Sequence, residues 1–170
     1  SRFSAVDEGF FFFSPTPDVM YSEPWDPSWP SFCTWVVFED GRDGRRFAVY
    51  NVHFEHRSVE NRRKSAELVA ARIREQHSEM PAVLLGDFNA PRIFRPVRRF
   101  RDLGLQPVEP RGSTYHLNRG VNIIPGIDHI LVTDEFEVGG GEILRDRING
   151  VWPSDHYPVS VELLLKPPPG

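Results

Sequence analysis

The chain has 170 residues, 39% of them hydrophobic, which is enough for one domain with a real core and too short to expect two. Its net charge of -4 supplies no global field for nucleic acid or an acidic membrane, so affinity for phosphate must be local or carried by a metal. Cys33 is the only cysteine, which excludes an intrachain disulfide framework and a cysteine-rich zinc site, and no apolar run approaches the roughly 18 to 20 residues that span a bilayer.

Along the chain, four phenylalanines at residues 10–13 fit a short strand covered on both faces, and the prolines that follow, as far as Pro30, impose an extended, irregular loop. From Cys33 to Phe38 β-branched and aromatic residues return, and Asp43-Gly44 marks a hairpin turn into the strand "FAVYNVHF". In that strand Phe47, Val49, Asn51 and His53 share one face, apolar first and polar at the end. Ser58 is placed to cap a helix running to about His77, with Glu60 in its first turn and Ala66, Val69, Ala70 and Ile73 as an apolar stripe. Next comes "LLGDFNA", residues 84–90, where alternation puts Val83, Leu85, Asp87 and Asn89 on one side. A core strand there hands two oxygen-bearing groups to a cleft.

Residues 92–103 suggest a short helix carrying Arg92, Arg95, Arg98, Arg99 and Arg101, interrupted at Pro96. "GIDHILV", "EFEVGGGEIL" and "YPVSVELLL" read as three closing strands, and "KPPPG" as a frayed tail. Strand, helix and strand in this order imply an α/β fold with layered packing. With neither an internal repeat nor a linker, residues 1–170 read as a single domain.

Five polar clusters fall where strands end or loops begin: Asn51 with His53, Asp87 with Asn89, Thr114 to His116, Asp128 with His129, and Ser154-Asp155-His156. Carboxylates and an amide oxygen are hard ligands, better suited to Mg²⁺ or Mn²⁺ than to zinc, and a histidine beside such a metal can carry a proton or donate to a phosphoryl oxygen. The combination points to hydrolysis of a phosphate ester.

The motifs "YNVHF", "LLGDFN", "GSTYH", "GIDHILV" and "WPSDHYPV", in this order, resemble those of the endonuclease/exonuclease/phosphatase superfamily, over roughly residues 10 to 165. "FFFFSPTPD" and "CTWVVFED" resemble a bacterial hydrolase branch of it. The resemblance implies a deoxyribonuclease-like α/β sandwich and a Mg²⁺- or Mn²⁺-dependent phosphoesterase. By it, His53 donates to the scissile phosphate, Asp87 and Asn89 position or deprotonate the attacking water and hold a phosphate oxygen, and Asp155 is a metal ligand. His156 then lies close to the phosphate with Asp128 orienting it, and the general base is either Asp87 or the Asp128–His156 pair.

The family's pattern also includes an opening strand ending in asparagine and a "QE" pair whose glutamate binds Mg²⁺, and both would precede Ser1. The resemblance therefore implies a sandwich incomplete at the N-terminus, with about its first third missing, whether this chain is a fragment, a nicked product or a truncated form. A catalytically silent half-domain that binds a partner, self-associates or joins the missing segment is the competing expectation, because that loss would weaken metal binding and expose sheet edges. A nuclease in the strict sense is a third, for which Arg98 and Arg99 would track a polyanion. Asn51, Thr114 and His116 are further candidates for substrate contact.

Ser154, Asp155 and His156 cannot form a serine-hydrolase relay, because neighbouring side chains diverge. His129, by alternation, faces away from Asp128 and is structural, Trp25, Trp29 and Trp35 pack rather than stack on bases, and Cys33 is a small buried residue. A soluble protein, cytoplasmic or secreted, fits the composition, and the substrate stays open because variable loops select it.

Overall fold

The computed structural model describes residues 2–26 and 29–167. Eight strands and two helices follow one another as β1 Phe3–Phe12, β2 Phe32–Asp40, β3 Arg46–His53, α1 Val59–His77, β4 Ala82–Asp87, α2 Arg95–Arg98, β5 Gln106–Pro107, β6 Asp128–Val132, β7 Phe136–Ile143 and β8 Val159–Leu165. Six strands form the main sheet in the order β1-β2-β3-β4-β6-β5, while β7 and β8 pair with each other in a second sheet. Within the main sheet only β3 and β4 run parallel. A parallel step needs a long crossover, and α1 supplies it.

Alternation along each strand sorts the two faces. Ala48, Tyr50 and Val52 of β3, Ala82 and Leu84 of β4 and Leu131 of β6 pack in one core with Ala66, Val69, Ala70 and Ile73 of α1. On the opposite face Val83 and Val132 meet Phe136 of β7 and Leu165 of β8. Helix, sheet and sheet are thus stacked in layers, as the sequence implies. The start of α1 is fixed by Ser58, whose hydroxyl accepts from the Asn61 amide at 3.0 Å, and Glu60 in the first turn pairs with Arg63 at 2.7 Å. No described helix is long and apolar enough to cross a membrane.

Several expectations need correction. The first strand is not confined to residues 10–13 but begins at Phe3, and its outer half is an exposed sheet edge; Phe11, Phe12 and Phe13 are buried while Phe10 is half exposed. Pro96 does not interrupt α2: it sits in the first turn, where its missing N–H has no partner to lose. The three closing strands exist, yet β7 and β8 leave the main sheet that β6 joins. Trp25 and Trp35 pack against the core as expected, but Trp29 is 86% exposed. Lys166 is tied to the carbonyls of Asp134 and Glu135 rather than frayed, and residues 168–170 of the tail lie outside the described residues.

Candidate active site

Strand register brings the polar ends together. His53 of β3 lies opposite Asp87 of β4, and Asp87 lies opposite Asp128 of β6. Three neighbouring strands therefore present one polar group each at the same level of the face that α1 leaves uncovered. The His53 Nε2 is 3.5 Å from Asp87 Oδ2. Close approach of β3 and β4 just before this row depends on Gly86: at φ +132° a Cβ there would lie 1.9 Å from the Val52 carbonyl oxygen.

Asn89 does not continue the strand, which ends at Asp87. It adopts a left-handed turn (φ 47°), a conformation asparagine tolerates better than most residues, and this folds it back on the acid. Its backbone N–H donates to Asp87 Oδ1 at 2.7 Å, and its side-chain amide donates to Asp87 Oδ2 at 3.1 Å and to the Phe54 carbonyl at 2.8 Å. The two residues are thereby locked into one unit.

His156 arrives from the loop before β8. Its Nδ1 donates to Asp128 Oδ2 at 2.8 Å, because the carboxylate can only accept, and its Nε2 is 4.0 Å from Asp87 Oδ2. Tyr115 packs against the ring with centroids 4.9 Å apart. Backbone hydrogen bonds from His116 to Asp155 and from Tyr157 to Thr114 tie the two segments together. His53, His56, Asp87, Asn89, Tyr115, Ile127, Asp128, Ser154, Asp155 and His156 line one cleft of about 560 Å³. Asn89 and His156, far apart in sequence, thus share a cavity.

Burial pushes the Asp87 carboxyl above its usual range, the Asn89 N–H pulls the other way, and the facing Asp128 adds to the rise while His53 and His156 oppose it. Two acids directly across an antiparallel pair repel each other, and such an arrangement invites a cation or a proton. Asp87, Asp128 and His156 each offer a ligand atom, all within 4.8 Å of one another. That donor set, rich in carboxylate oxygen, fits a hard divalent ion. Asp155, the metal ligand expected from sequence, lines the same cleft but falls outside this group of three.

Other expected contacts lie elsewhere. Thr114 is buried and accepts from the amides of Ile127 at 3.0 Å and Asp128 at 3.2 Å, so its hydroxyl supports Asp128, and it does not line the cleft. His116 is fully buried, stacked on Tyr157 with centroids 4.1 Å apart, and does not line the cleft. Asn51 is exposed on the His53 face but does not line the cleft. Arg98 and Arg99 line a different groove of about 510 Å³, between α1 and the segment from Arg95 to Asp102. His129 points away from Asp128 and bonds Glu109 and the Ala90 carbonyl, each at 2.8 Å. The His156 ring faces Asp128, not Ser154, so no serine relay exists. His56 and Ile127 line the cleft without having been singled out from sequence, and Tyr115, inside the Thr114-to-His116 cluster, lines it while its two neighbours are buried.

Comparison with known proteins gives a consistent picture. The model of the endonuclease/exonuclease/phosphatase family matches residues 9–156. A mannosyl-6-phosphatase of Bacteroides thetaiotaomicron is 30% identical with a TM-score of 0.84, over 96% of this chain and 67% of its own. An endonuclease/exonuclease/phosphatase family protein of the same organism is 31% identical with a TM-score of 0.85, over 97% of this chain and 67% of its own. The structure of D. rerio TDP2 with a single-strand DNA product shares the fold at 14% identity and a TM-score of 0.70, over 96% of this chain and 69% of its own. No curated protein sequence matches.

Proposed function

The chain belongs to the endonuclease/exonuclease/phosphatase family, a family of hydrolases, and from that premise we propose that its cleft hydrolyses a phosphate ester with a divalent ion, Mg²⁺ or Mn²⁺, by in-line attack of water. The row of His53, Asp87 and Asp128, closed by His156, is the observation that carries this reading. Both oxygens of Asp87 are engaged by Asn89, which fixes the carboxylate for proton abstraction from water, and its raised pKa makes it a stronger base. Asp128 holds the His156 Nδ1 proton, so Nε2 is left to hand a proton to a phosphoryl oxygen or leaving group. His53, on the exposed side of Asp87, adds a second donor.

Asp155 lines the same cleft, and Asp128, whose ligand atom lies within 4.8 Å of those of Asp87 and His156, would hold the ion. When bound it supplies positive charge to the phosphoryl oxygens. Hydrolysis of p-nitrophenyl phosphate and bis-p-nitrophenyl phosphate with Mg²⁺ or Mn²⁺, compared with EDTA and with His156→Ala, tests the reading. Turnover should need the metal and fall at least about 100-fold in the variant. Neither turnover nor metal binding would instead favour a silent half-domain that acts through a partner, a second copy or a further segment of chain.

A second reading rests on the arginine groove. Arg95, Arg98 and Arg101 have no carboxylate partner among the described residues, while Arg99 pairs with Asp102 at 3.1 Å. A nuclease using this groove to track a backbone would bind single-stranded DNA in a salt-sensitive way that Arg98→Ala weakens.

A further inference from the structure

Beside the cleft lies a hollow of about 650 Å³ that shares Asp128 with it; Ile127 borders the cleft, while Gly126 and Asp128 border the hollow. Its walls come from two loops, with Pro91, Ile93 and Phe94 following Asn89 on one side and Ile123, Ile124 and Pro125 preceding β6 on the other. Three of these are large apolar side chains held out to solvent: Ile93 is 69% exposed, Phe94 53% and Ile123 89%. Exposed apolar groups gathered around one concavity next to a reaction cleft mark a binding surface.

Most polar side chains of the hollow are already committed. Ser113 donates its hydroxyl to the Ile124 carbonyl, and the Thr114 hydroxyl accepts from the amides of Ile127 and Asp128. Glu109 is shared by Arg92 and His129. Only Arg111 and Asn122 among its polar side chains lack a partner within the described residues. A sugar or other polyol placed there would lose water from its hydroxyls and find few replacement hydrogen bonds, whereas an aryl or alkyl group would lose nothing and gain contact with the isoleucine and phenylalanine walls.

We propose that this hollow receives the alcohol half of the substrate, and that the alcohol is apolar, aromatic or aliphatic, rather than a sugar. The inference rests on the phosphoesterase reading above, because the shared Asp128 joins the hollow to the place where the phosphoryl group would react. It assigns the loops 91–94 and 123–125 the selection of substrate and leaves the strand-end row to the chemistry.

Calorimetric titration of the Mg²⁺-loaded protein with methylphosphonate and with 1-naphthylmethylphosphonate separates the two levels, since neither ligand can be hydrolysed. The naphthyl ligand should bind at least tenfold more tightly than methylphosphonate, and in the doubly substituted Ile93→Asp/Ile123→Asp protein the two affinities should converge. Both side chains are mostly exposed, so folding should survive, and an unchanged far-ultraviolet spectrum and melting temperature verify it. Methylphosphonate binding without a naphthyl advantage, or an advantage that survives the double substitution, overturns the apolar subsite and leaves the phosphoesterase reading intact. Binding of neither ligand overturns both.

Discussion

At the scale of single residues, Glu109 shows how much of the site is held from behind. Its carboxylate is buried and accepts from His129 Nδ1, from Arg92 and from the Ile130 amide, while His129 Nε2 faces the Ala90 carbonyl. The network therefore clamps the loop that follows Asn89 onto β6. Burial alone would raise the Glu109 carboxyl, yet the hydrogen bonds from His129, Ile130 and Arg92 hold it below the usual glutamate range. A depressed acid stabilises the fold above its unfolded pKa, and that stabilisation is lost as pH falls through the folded value. Glu109→Gln should thus cost about 3 kcal/mol in urea unfolding at pH 7, with the gap to wild type closing below about pH 4.3. Nothing in the sequence marks this role: Glu109 lies in a loop, and only the fold brings Arg92 and His129 to it. By contrast His53, Asp87, Asp128 and His156 each stand at or beside a strand end within a motif: His53 and Asp87 close β3 and β4, Asp128 opens β6 and His156 precedes β8. Thr114 and His116 share such a motif but are turned inward, and one sequence cannot reveal which side of a loop is buried.

At the scale of elements, the site depends on β3 and β4 reaching the same level. Gly86 allows this, since any side chain there would collide with the Val52 carbonyl. Gly86→Ala should destabilise by more than about 3 kcal/mol and should separate His53 from Asp87, which a thermal melt and the p-nitrophenyl phosphate assay would show together. A melt unchanged by the substitution would mean that the two strands are not held this closely. The hairpin, α1 with its Ser58 cap, and β4 follow from periodicity and turn chemistry. Asn89 does not, because the strand whose alternation orients Asp87 ends two residues short of it. The departure of β7 and β8 from the main sheet is equally invisible in their sequences: both alternate, and only Phe136 and Leu165 packing on Val83 and Val132 decide where they lie.

At the scale of the whole molecule, a chain of net charge -4 places Asp87 and Asp128 opposite each other in one sheet and adds Asp155 to the same cleft. On the metal-dependent reading proposed above, a bound cation would relieve that repulsion. Saturating Mn²⁺ or Mg²⁺ should therefore raise the melting temperature, by the equivalent of about 2.7 kcal/mol at a hundredfold excess over Kd, and EDTA should reverse it. Asp128→Asn should abolish most of the metal-dependent shift. The chain spans 67% of the length of the two Bacteroides relatives. Hydrolysis of p-nitrophenyl phosphate in ¹⁸O-labelled water, with Mn²⁺ present, is the most direct test that this cleft activates water against phosphorus. Label should enter the released phosphate with wild-type protein and drop to background with His156→Ala or EDTA; label incorporation that survives either would contradict the assignment.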